Sequence, residues 1–409
     1  MNNKRVFSAC CIAYFVQAIV NIASPTMFSK YISEYDIPIG FLTSFILINF
    51  VTQLIVDLTS IRMHKHMTYK TMAILGNASS FFGIVFLGIL PRVMNPIAGI
   101  IISTVISAFG SGLIEVVISP IVDSLPGDSK PTSMNFLHSF YCWGSMIVVA
   151  VVTCGVKFLG DFWWIVPIAL SVFPLFNVVN FITIGTITDK NDEESVGGLK
   201  LLKNRTFRLF MLIMICAGAS ELVISQWSSL FVETGLGVLK FIGDLLGPCL
   251  FAALMGTGRV VIGYLQKKVK VTTVLMISAA LAFSLYLVSS LVNNSIIALL
   301  ACGAIGFFVA CMWPSSLSLG AETIPEGGAA LFSLLAFAGD IGCSLGPTFS
   351  GVISDLAENN SWGLRIADAL RYSEESYGLR IGILFSSVFP LILLVVAFIL
   401  SKKLKDKKG

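Results

Sequence analysis

The sequence predicts an all-α membrane protein with twelve transmembrane helices. Hydrophobic residues make up 56% of the chain, charged residues only 12%, and the mean hydropathy is +0.88. A soluble globular protein carries about 25% charged residues, so most of this protein's surface is expected to face lipid. The net charge of +4 is too small to indicate a nucleic-acid partner.

Twelve apolar segments are long enough to cross a bilayer, which takes about 20 residues per helix. The first segment follows Lys4 and Arg5 and has full spanning length, so it indicates a retained helix rather than a cleaved signal peptide. The predicted spans are residues 6–28, 39–61, 71–91, 97–122, 133–156, 163–186, 206–232, 244–265, 271–291, 296–320, 328–354 and 379–401.

Basic residues between these spans are distributed unequally over the two sides of the membrane. Nineteen lysines and arginines fall in one set of alternating loops and termini, and seven fall in the other. The positive-inside rule therefore predicts that both termini are cytoplasmic in a multi-pass protein of the cell membrane. The longest predicted outside loop, residues 355–378, receives no functional assignment.

The chain is predicted to divide into two six-helix bundles. Residues 1–186 form the first, residues 206–409 with a basic tail form the second, and the hydrophilic stretch 187–205 is a cytoplasmic linker. The motif Asp123-Ser-Leu-Pro126 ends the fourth segment, and Glu322-Thr-Ile-Pro325 ends the tenth. Similar motifs at equivalent places indicate an internal repeat, which is common in transporters.

Polar residues recur at helical spacing inside several segments. Any one row is explained by hydrogen bonds between helices, but rows on several segments indicate a polar cavity lined from both halves. The rows on segments one, two, five, seven and eleven comprise Tyr14, Gln17, Asn21 and Ser24; Asn49, Gln53 and Asp57; Asn135, His138, Cys142 and Ser145; Glu221, Ser225 and Ser228; and Asp340 and Ser344.

Three acids lie inside apolar segments: Glu115, Glu221 and Asp340. A charge at the bilayer centre costs at least about 2.5–3.5 kcal/mol on insertion scales. Such a carboxyl group either exchanges a proton, binds a hydroxyl-rich substrate, or is a structural group held by a neighbouring helix. His138 has a similar choice between a proton relay, substrate binding and a plain structural hydrogen bond.

Other side chains have weaker functional assignments. Trp143 and Trp227 neighbour polar rows and are candidates for stacking on a sugar, although packing is the default explanation, whereas Trp163 and Trp164 are expected to be interfacial. Nine cysteines without a CxxC or Cys/His cluster predict no metal site or disulfide framework. No HExxH or GxSxG arrangement is present, so neither an enzyme nor a cofactor is expected.

Three patterns carry a resemblance to a known family. The first pattern is an acid followed five residues later by proline, and Glu115 and Pro120 fit it. A helix with Asn-x-x-Gln-x-Phe and a glycine comes next in this pattern. Asn135, Phe140 and Gly144 fit that part, with His138 in the glutamine place. Residues 258–265, GRVVIGYL, resemble the pattern GRxxGxxL, and Gly218, Glu221 and Trp227 resemble the pattern GxxE…W. The sequence thus resembles the major facilitator superfamily, in particular its fucose permease-like sugar:proton symporters.

The resemblance implies a monomeric carrier whose two bundles rock about a central site and take up a sugar with a proton. Glu115 corresponds to the proton site. Asp57 and Arg259 are assigned to gating. The assigned substrate-binding residues are Gln17, Asn21, Asn135, His138, Trp143, Glu221, Gln226, Trp227 and Asp340.

Two alternatives stay open within this resemblance. Ser24 occupies the place where the fucose permeases have an acid three residues after the asparagine corresponding to Asn21, which leaves room for an uncoupled sugar facilitator. An efflux carrier for drugs or metabolites would have a cavity wall richer in aromatic and methionine residues than in amides. A nutrient sensor on the same fold would normally need a sizeable cytoplasmic domain, and neither 187–205 nor 402–409 is long enough for one.

Overall fold

The regular secondary structure in the described part of the chain is helical. The computed structural model describes residues 3–37, 39–64, 66–127, 129–185, 187, 198–236, 243, 245–292, 294–358, 360, 365 and 374–406. The first-half helices are α1 (Asn3–Thr26), α2 (Phe28–Tyr35), α3 (Ile39–Met63), α4 (Tyr69–Val93), α5 (Pro96–Ser124), α6 (Lys130–Phe158), α7 (Ile165–Leu170) and α8 (Val172–Thr183).

The second half continues the pattern after a short helix. Its helices are α9 (Gly198–Lys203), α10 (Arg205–Leu236), α11 (Pro248–Leu265), α12 (Val271–Leu291), α13 (Ser295–Val309), α14 (Met312–Thr323), α15 (Gly328–Glu358), α16 (Glu374–Ser386) and α17 (Val388–Asp406). Short 3₁₀ turns lie at Gly160–Phe162 and Pro325–Gly327.

The twelve predicted transmembrane helices are confirmed in the described residues. Their ends differ from the hydropathy boundaries by a few residues: the fifth, predicted over 133–156, is the helix Lys130–Phe158. It begins earlier because the Ser129 side chain accepts a hydrogen bond from the backbone N–H of Thr132. A capping side chain is polar, so hydropathy alone stops short of the true helix start.

The C-termini of two helices, α5 and α8, are capped by lysine side chains. Lys70 Nζ donates to the carbonyl oxygens of Ile182 (3.2 Å) and Ile184 (2.5 Å), which end α8. Lys130 Nζ donates in the same way to the carbonyls of Asp123 and Leu125 at the end of α5. The last carbonyls of a helix lack partners within it and carry partial negative charge, so a nearby cation satisfies both needs.

Contacts divide the chain into two compact units. Unit 1 contains Met1–Leu202 together with Gly320–Phe337, and unit 2 contains Lys203–Leu319 together with Ala338–Gly409. The division at 202/203 falls inside the predicted linker 187–205, of which residues 188–197 lie outside the described residues. The exchange of residues 320–337 into unit 1 is a tertiary feature that the predicted bundles do not contain.

Residues 320–337 join unit 1 through specific contacts. Ser60 on α3 and Ser333 on α15 share a hydrogen bond between their hydroxyls at 2.9 Å. The same unit contains a cavity of about 30 Å³, roomy enough for water, which is lined in part by the two repeated motifs that end the fourth and tenth segments. Its lining residues from these motifs include Asp123, Ile324 and Pro325.

The burial of Trp163 contradicts the expectation that this residue lies at the lipid interface. It is only 1% exposed and belongs to a core cluster in unit 1, rather than lying at the lipid interface. Its indole N–H donates to a carboxylate oxygen of Glu34, whose other oxygen is 3.5 Å from Arg92. Trp164, the neighbouring residue, packs under the Arg92 guanidinium at 5.1 Å. Each indole therefore contacts a charged side chain of the protein, Glu34 for Trp163 and Arg92 for Trp164.

Candidate functional site

Each unit contains a buried polar cluster. The first cluster lies in unit 1 on α1, α3, α5 and α6, and the second lies in unit 2 on α10, α11 and the α13–α14 junction. The first cluster consists of Tyr14, Gln17, Asn21, Asn49, Gln53, Ser111, Glu115, Ser119 and His138. The second consists of Glu221, Arg259 and the carbonyl of Ala310.

Helical spacing explains how the first cluster forms. Ser111, Glu115 and Ser119 are spaced by four residues along α5 and therefore share one face. Gln17 and Tyr14 occupy the facing side of α1. Pro120 follows Glu115 by five residues and has no N–H, so it leaves the carbonyl of residue 116 without its usual helical partner and loosens α5 beside the cluster.

Glu115 and Gln17 form the centre of the first cluster. Gln17 Nε2 donates to Glu115 Oε2 at 2.6 Å, and the two residues are 8% and 4% exposed. The amide donor is neutral, so this contact satisfies a lone pair of the carboxylate without supplying a compensating charge. The two residues that sequence analysis assigned to proton and substrate are thus in direct contact.

A second contact group adjoins this pair. The Tyr14 hydroxyl lies 2.8 Å from Ser119 Oγ and 3.1 Å from His138 Nε2, and its ring packs at 4.4 Å from the His138 ring. A hydroxyl donates one hydrogen bond and accepts others, so the direction of each contact depends on the histidine tautomer. His138 therefore lies in the cluster, bound to α1 through a residue that was not among the predicted ligands.

An amide group forms the third part of the cluster. Asn21 Oδ1 accepts hydrogen bonds from Asn49 Nδ2 and Gln53 Nε2, both at 3.1 Å. Gln53 Oε1 in turn accepts from Ser111 Oγ at 3.1 Å. Both ends of the Gln53 amide are engaged, so its orientation is determined by its partners.

Two predicted ligands of the first half have different surroundings. Asn135 is buried, and its Nδ2 donates to the carbonyl of Pro131 on its own helix at 2.9 Å. Trp143 is half-buried with its ring in edge contact with Phe140 at 5.8 Å. These contacts are the local packing that the default explanation anticipates, and the substrate roles of both residues remain predictions.

The second cluster is built on a buried ion pair. Arg259 Nη2 lies 3.1 Å from Glu221 Oε2, with both side chains almost inaccessible, and Arg259 Nε donates to the Ala310 carbonyl at 3.0 Å. Helix geometry breaks at Ala310 and Cys311, between α13 and α14, which turns that carbonyl toward the guanidinium. The structure thus joins two residues that sequence analysis gave separate roles, substrate binding and gating.

The remaining predicted residues lie elsewhere in their units. Asp57 is fully buried in α3, and its backbone carbonyl accepts from the Ser60 hydroxyl. Trp227 Nε1 donates to the Pro347 carbonyl at 3.3 Å, whereas the neighbouring Gln226 side chain is exposed. Asp340 is 4% exposed on α15. Their assigned roles in gating or binding remain predictions.

Several members of the first cluster were not among the predicted ligands. Tyr14, Asn49 and Gln53 were seen as members of polar rows, but not as the partners of Asn21 and His138. Ser111 and Ser119 were not selected, although their spacing of four from Glu115 is the signal that marks one helix face. Within the described residues, no three His, Cys, Asp or Glu side chains are grouped as metal ligands.

Comparisons with known proteins identify the sequence family and the fold. A sequence profile of the Major Facilitator Superfamily matches residues 6–347. The comparison with curated protein sequences gives no match. The structure is similar to FucP, a transporter of that superfamily, in the outward conformation, with TM-score 0.74 and 15% identity over 96% of this chain and 98% of that chain.

Two further solved structures share the same fold. The E. coli fucose:proton symporter FucP, in a variant form, aligns with TM-score 0.75 and 16% identity over 96% of this chain and 98% of that chain. The proton:xylose symporter XylE bound to 6-bromo-6-deoxy-D-glucose aligns with TM-score 0.72 and 12% identity over 96% and 97%. The predicted fold class and family resemblance are confirmed, and identities this low show the fold alone.

Proposed function

This chain belongs to the Major Facilitator Superfamily, and we propose that it is a proton-coupled carrier that takes up a sugar or a similar small polyhydroxylated solute. The observation that carries the proposal is the contact of Gln17 with Glu115 inside the hydroxyl- and amide-rich first cluster. The neutral Gln17 amide can hydrogen-bond to this carboxyl group in either protonation state, as a donor to the carboxylate or as an acceptor from the acid.

The composition of the first cluster supports a substrate rich in hydroxyl groups. Amides and hydroxyls both donate and accept hydrogen bonds, so they replace the water that a sugar loses on entering a buried site. Gln17, Asn21 and His138 are our candidate ligands here, and Trp227 and Asp340 are those in unit 2. The solved sugar:proton symporters with the same fold make a sugar the first class to test.

The same hydrogen bond provides a route for coupling. Ionised Glu115 accepts from the Gln17 amide, whereas protonated Glu115 gains an O–H and becomes a donor. Protonation therefore changes whether Glu115 can donate a hydrogen bond to a substrate hydroxyl or can only accept one. It also removes a charge that is costly inside a bilayer. Proton uptake and substrate binding would then act on one contact, and alternating access would release both on the other side.

The test uses purified protein in vesicles with an imposed pH gradient. A preliminary thermal-shift screen of sugars, polyols and acids selects the substrate, because ligands that bind the folded state raise its apparent stability. Acid outside should accelerate uptake of that substrate and produce a matching proton flux. Glu115→Gln should abolish both responses while leaving exchange of substrate across the membrane measurable.

Glu326→Gln is the control, because this exposed glutamate lies in a 3₁₀ turn and belongs to neither cluster. It should transport as the unaltered protein does. Acid-driven uptake with intact proton flux in Glu115→Gln would contradict the proposal.

An uncoupled facilitator is the second candidate. Ser24, which occupies the place of the family's acid on α1, lies 3.4 Å from the Tyr31 hydroxyl and carries no charge to exchange. Uptake that follows the sugar gradient alone, with no proton flux in the unaltered protein, would favour it. Export of substrate driven by the entry of protons down their gradient would instead identify an efflux carrier. We further propose a monomer in the cell membrane with both termini cytoplasmic.

A further inference from the structure

We propose that unit 2 carries a docking surface for anionic phospholipid headgroups. This surface, the basic rim, lies at the membrane face where α10 and α12 begin and where α11 and α17 end. The rim consists of Lys203, Arg205, Arg208, Lys267, Lys268, Lys270, Lys402, Lys403 and Lys405.

Helix packing brings these cations to one region of unit 2. α17 packs against both α12 and α10, and α10 packs against α11. Because consecutive spans alternate in direction, the first turns of α10 and α12 and the last turns of α11 and α17 lie at the same membrane face. Eight of the nine cations are exposed, and Lys403 is half-buried.

The rim cations have no carboxylate or hydrogen-bond partner in the described part of the chain. None of the nine forms an ion pair with a carboxylate or donates a hydrogen bond there. In unit 1, Lys70 and Lys130 are engaged by helix carbonyls and Arg5 donates to Thr183 Oγ1 at 2.6 Å, whereas Lys4 and Arg62 are exposed. The charge of unit 2 at this face therefore remains available to an external anion.

Two lysines place this charge beside exposed aromatic rings. Lys267 Nζ is 5.1 Å from the centroid of the Tyr264 ring, and Lys402 Nζ is 4.6 Å from that of Phe398. Both rings are at least half exposed on helices whose outer surfaces are apolar. Aromatic rings and lysine ammonium groups occupy the interfacial zone of a bilayer, where anionic phosphates lie.

The test measures lipid binding and does not depend on transport. Detergent-purified protein is titrated with phosphatidylglycerol, with phosphatidylcholine or with inorganic phosphate, and the melting temperature is recorded. Phosphatidylglycerol should raise the melting temperature, and the rise should shrink in high salt because exposed charges are screened. Phosphatidylcholine and phosphate should have little effect.

The informative variant is Lys267→Gln/Lys402→Gln, which should weaken phosphatidylglycerol binding by roughly fivefold per charge removed. Lys267→Arg/Lys402→Arg should restore it. The matched control, Lys4→Gln/Arg62→Gln, removes two exposed charges from unit 1 and should bind as the unaltered protein does.

Three outcomes would overturn the proposal. Equal stabilisation by free phosphate would mean that no lipid is needed. An unchanged response in Lys267→Gln/Lys402→Gln would exclude these lysines, and an equal loss in the unit 1 control would reduce the effect to total charge.

Discussion

The two buried polar clusters hold their carboxylates in opposite ways. Glu115 in unit 1 accepts a hydrogen bond from the neutral Gln17 amide, whereas Glu221 in unit 2 faces the Arg259 guanidinium at 3.1 Å. A neutral partner tolerates either protonation state of a carboxyl group. An ionic partner stabilises only the charged state, because losing that charge leaves the other ion buried alone.

Because of this difference, we expect the two clusters to have different roles. The first cluster spreads its hydrogen bonds over four helices, and each bond contributes modestly, about 0.5–1.5 kcal/mol net. The second is centred on one guanidinium, which pairs with Glu221 and donates to the Ala310 carbonyl. Exchange of a proton or substrate is therefore expected in unit 1, and the ion pair is expected to hold α10 to α11 and to the α13–α14 junction.

The largest expected effect is the removal of one member of the ion pair. Arg259→Met leaves Glu221 buried without its cation and should lower the free energy of unfolding by about 3–5 kcal/mol. Thermal melting of the purified protein measures the loss. The double variant Glu221→Gln/Arg259→Met removes both charges and should recover most of it. A single variant as stable as the unaltered protein would remove the contrast between the clusters.

His64 extends the comparison to a titratable group that has no polar side-chain partner. Both ring nitrogens are buried without a hydrogen bond in the described residues, beside the Tyr69 ring at 4.9 Å. Burial lowers the pKa of His64 from 6.5 to about 4. The folded state thus disfavours the protonated ring, so stability should be complete above pH 6.5 and fall between pH 6.5 and 4.

The expected loss for His64 is at most about 3 kcal/mol, and melting temperature against pH measures it. His64→Leu should flatten the profile over this range. His66→Leu alters an exposed histidine in the same connection and should keep the slope. A profile unchanged by His64→Leu would show that other groups cause the acid sensitivity.

The smallest expected effect is in the amide group of the first cluster. Gln53→Ala removes a donor to Asn21 and an acceptor for Ser111, and should cost about 1–2 kcal/mol in unfolding free energy. A double-mutant cycle with Asn21→Ala, read by chemical unfolding, isolates the shared bond. Additive effects of the two changes would mean that the contact is not energetically coupled.

Much of the first cluster was predictable because helical periodicity is a local property. The spacing of Gln17 and Asn21 on α1, and the isolated acid at Glu115, mark side chains that must find partners inside the membrane. Periodicity does not say which helices face each other. The contact of His138 with Tyr14, across 124 positions, required the packed structure.

The sequence alone determined the twelve spans, because each span depends on the cost of exposing polar groups to lipid, a local property of composition. Tertiary structure decided the pairing of Glu221 with Arg259, the burial of Trp163 and the transfer of residues 320–337 to unit 1. The physical reason is that the insertion of a segment into lipid depends on the hydropathy of that segment alone. Side-chain packing and hydrogen bonds between helices, which depend on residues far apart in the chain, select their neighbours.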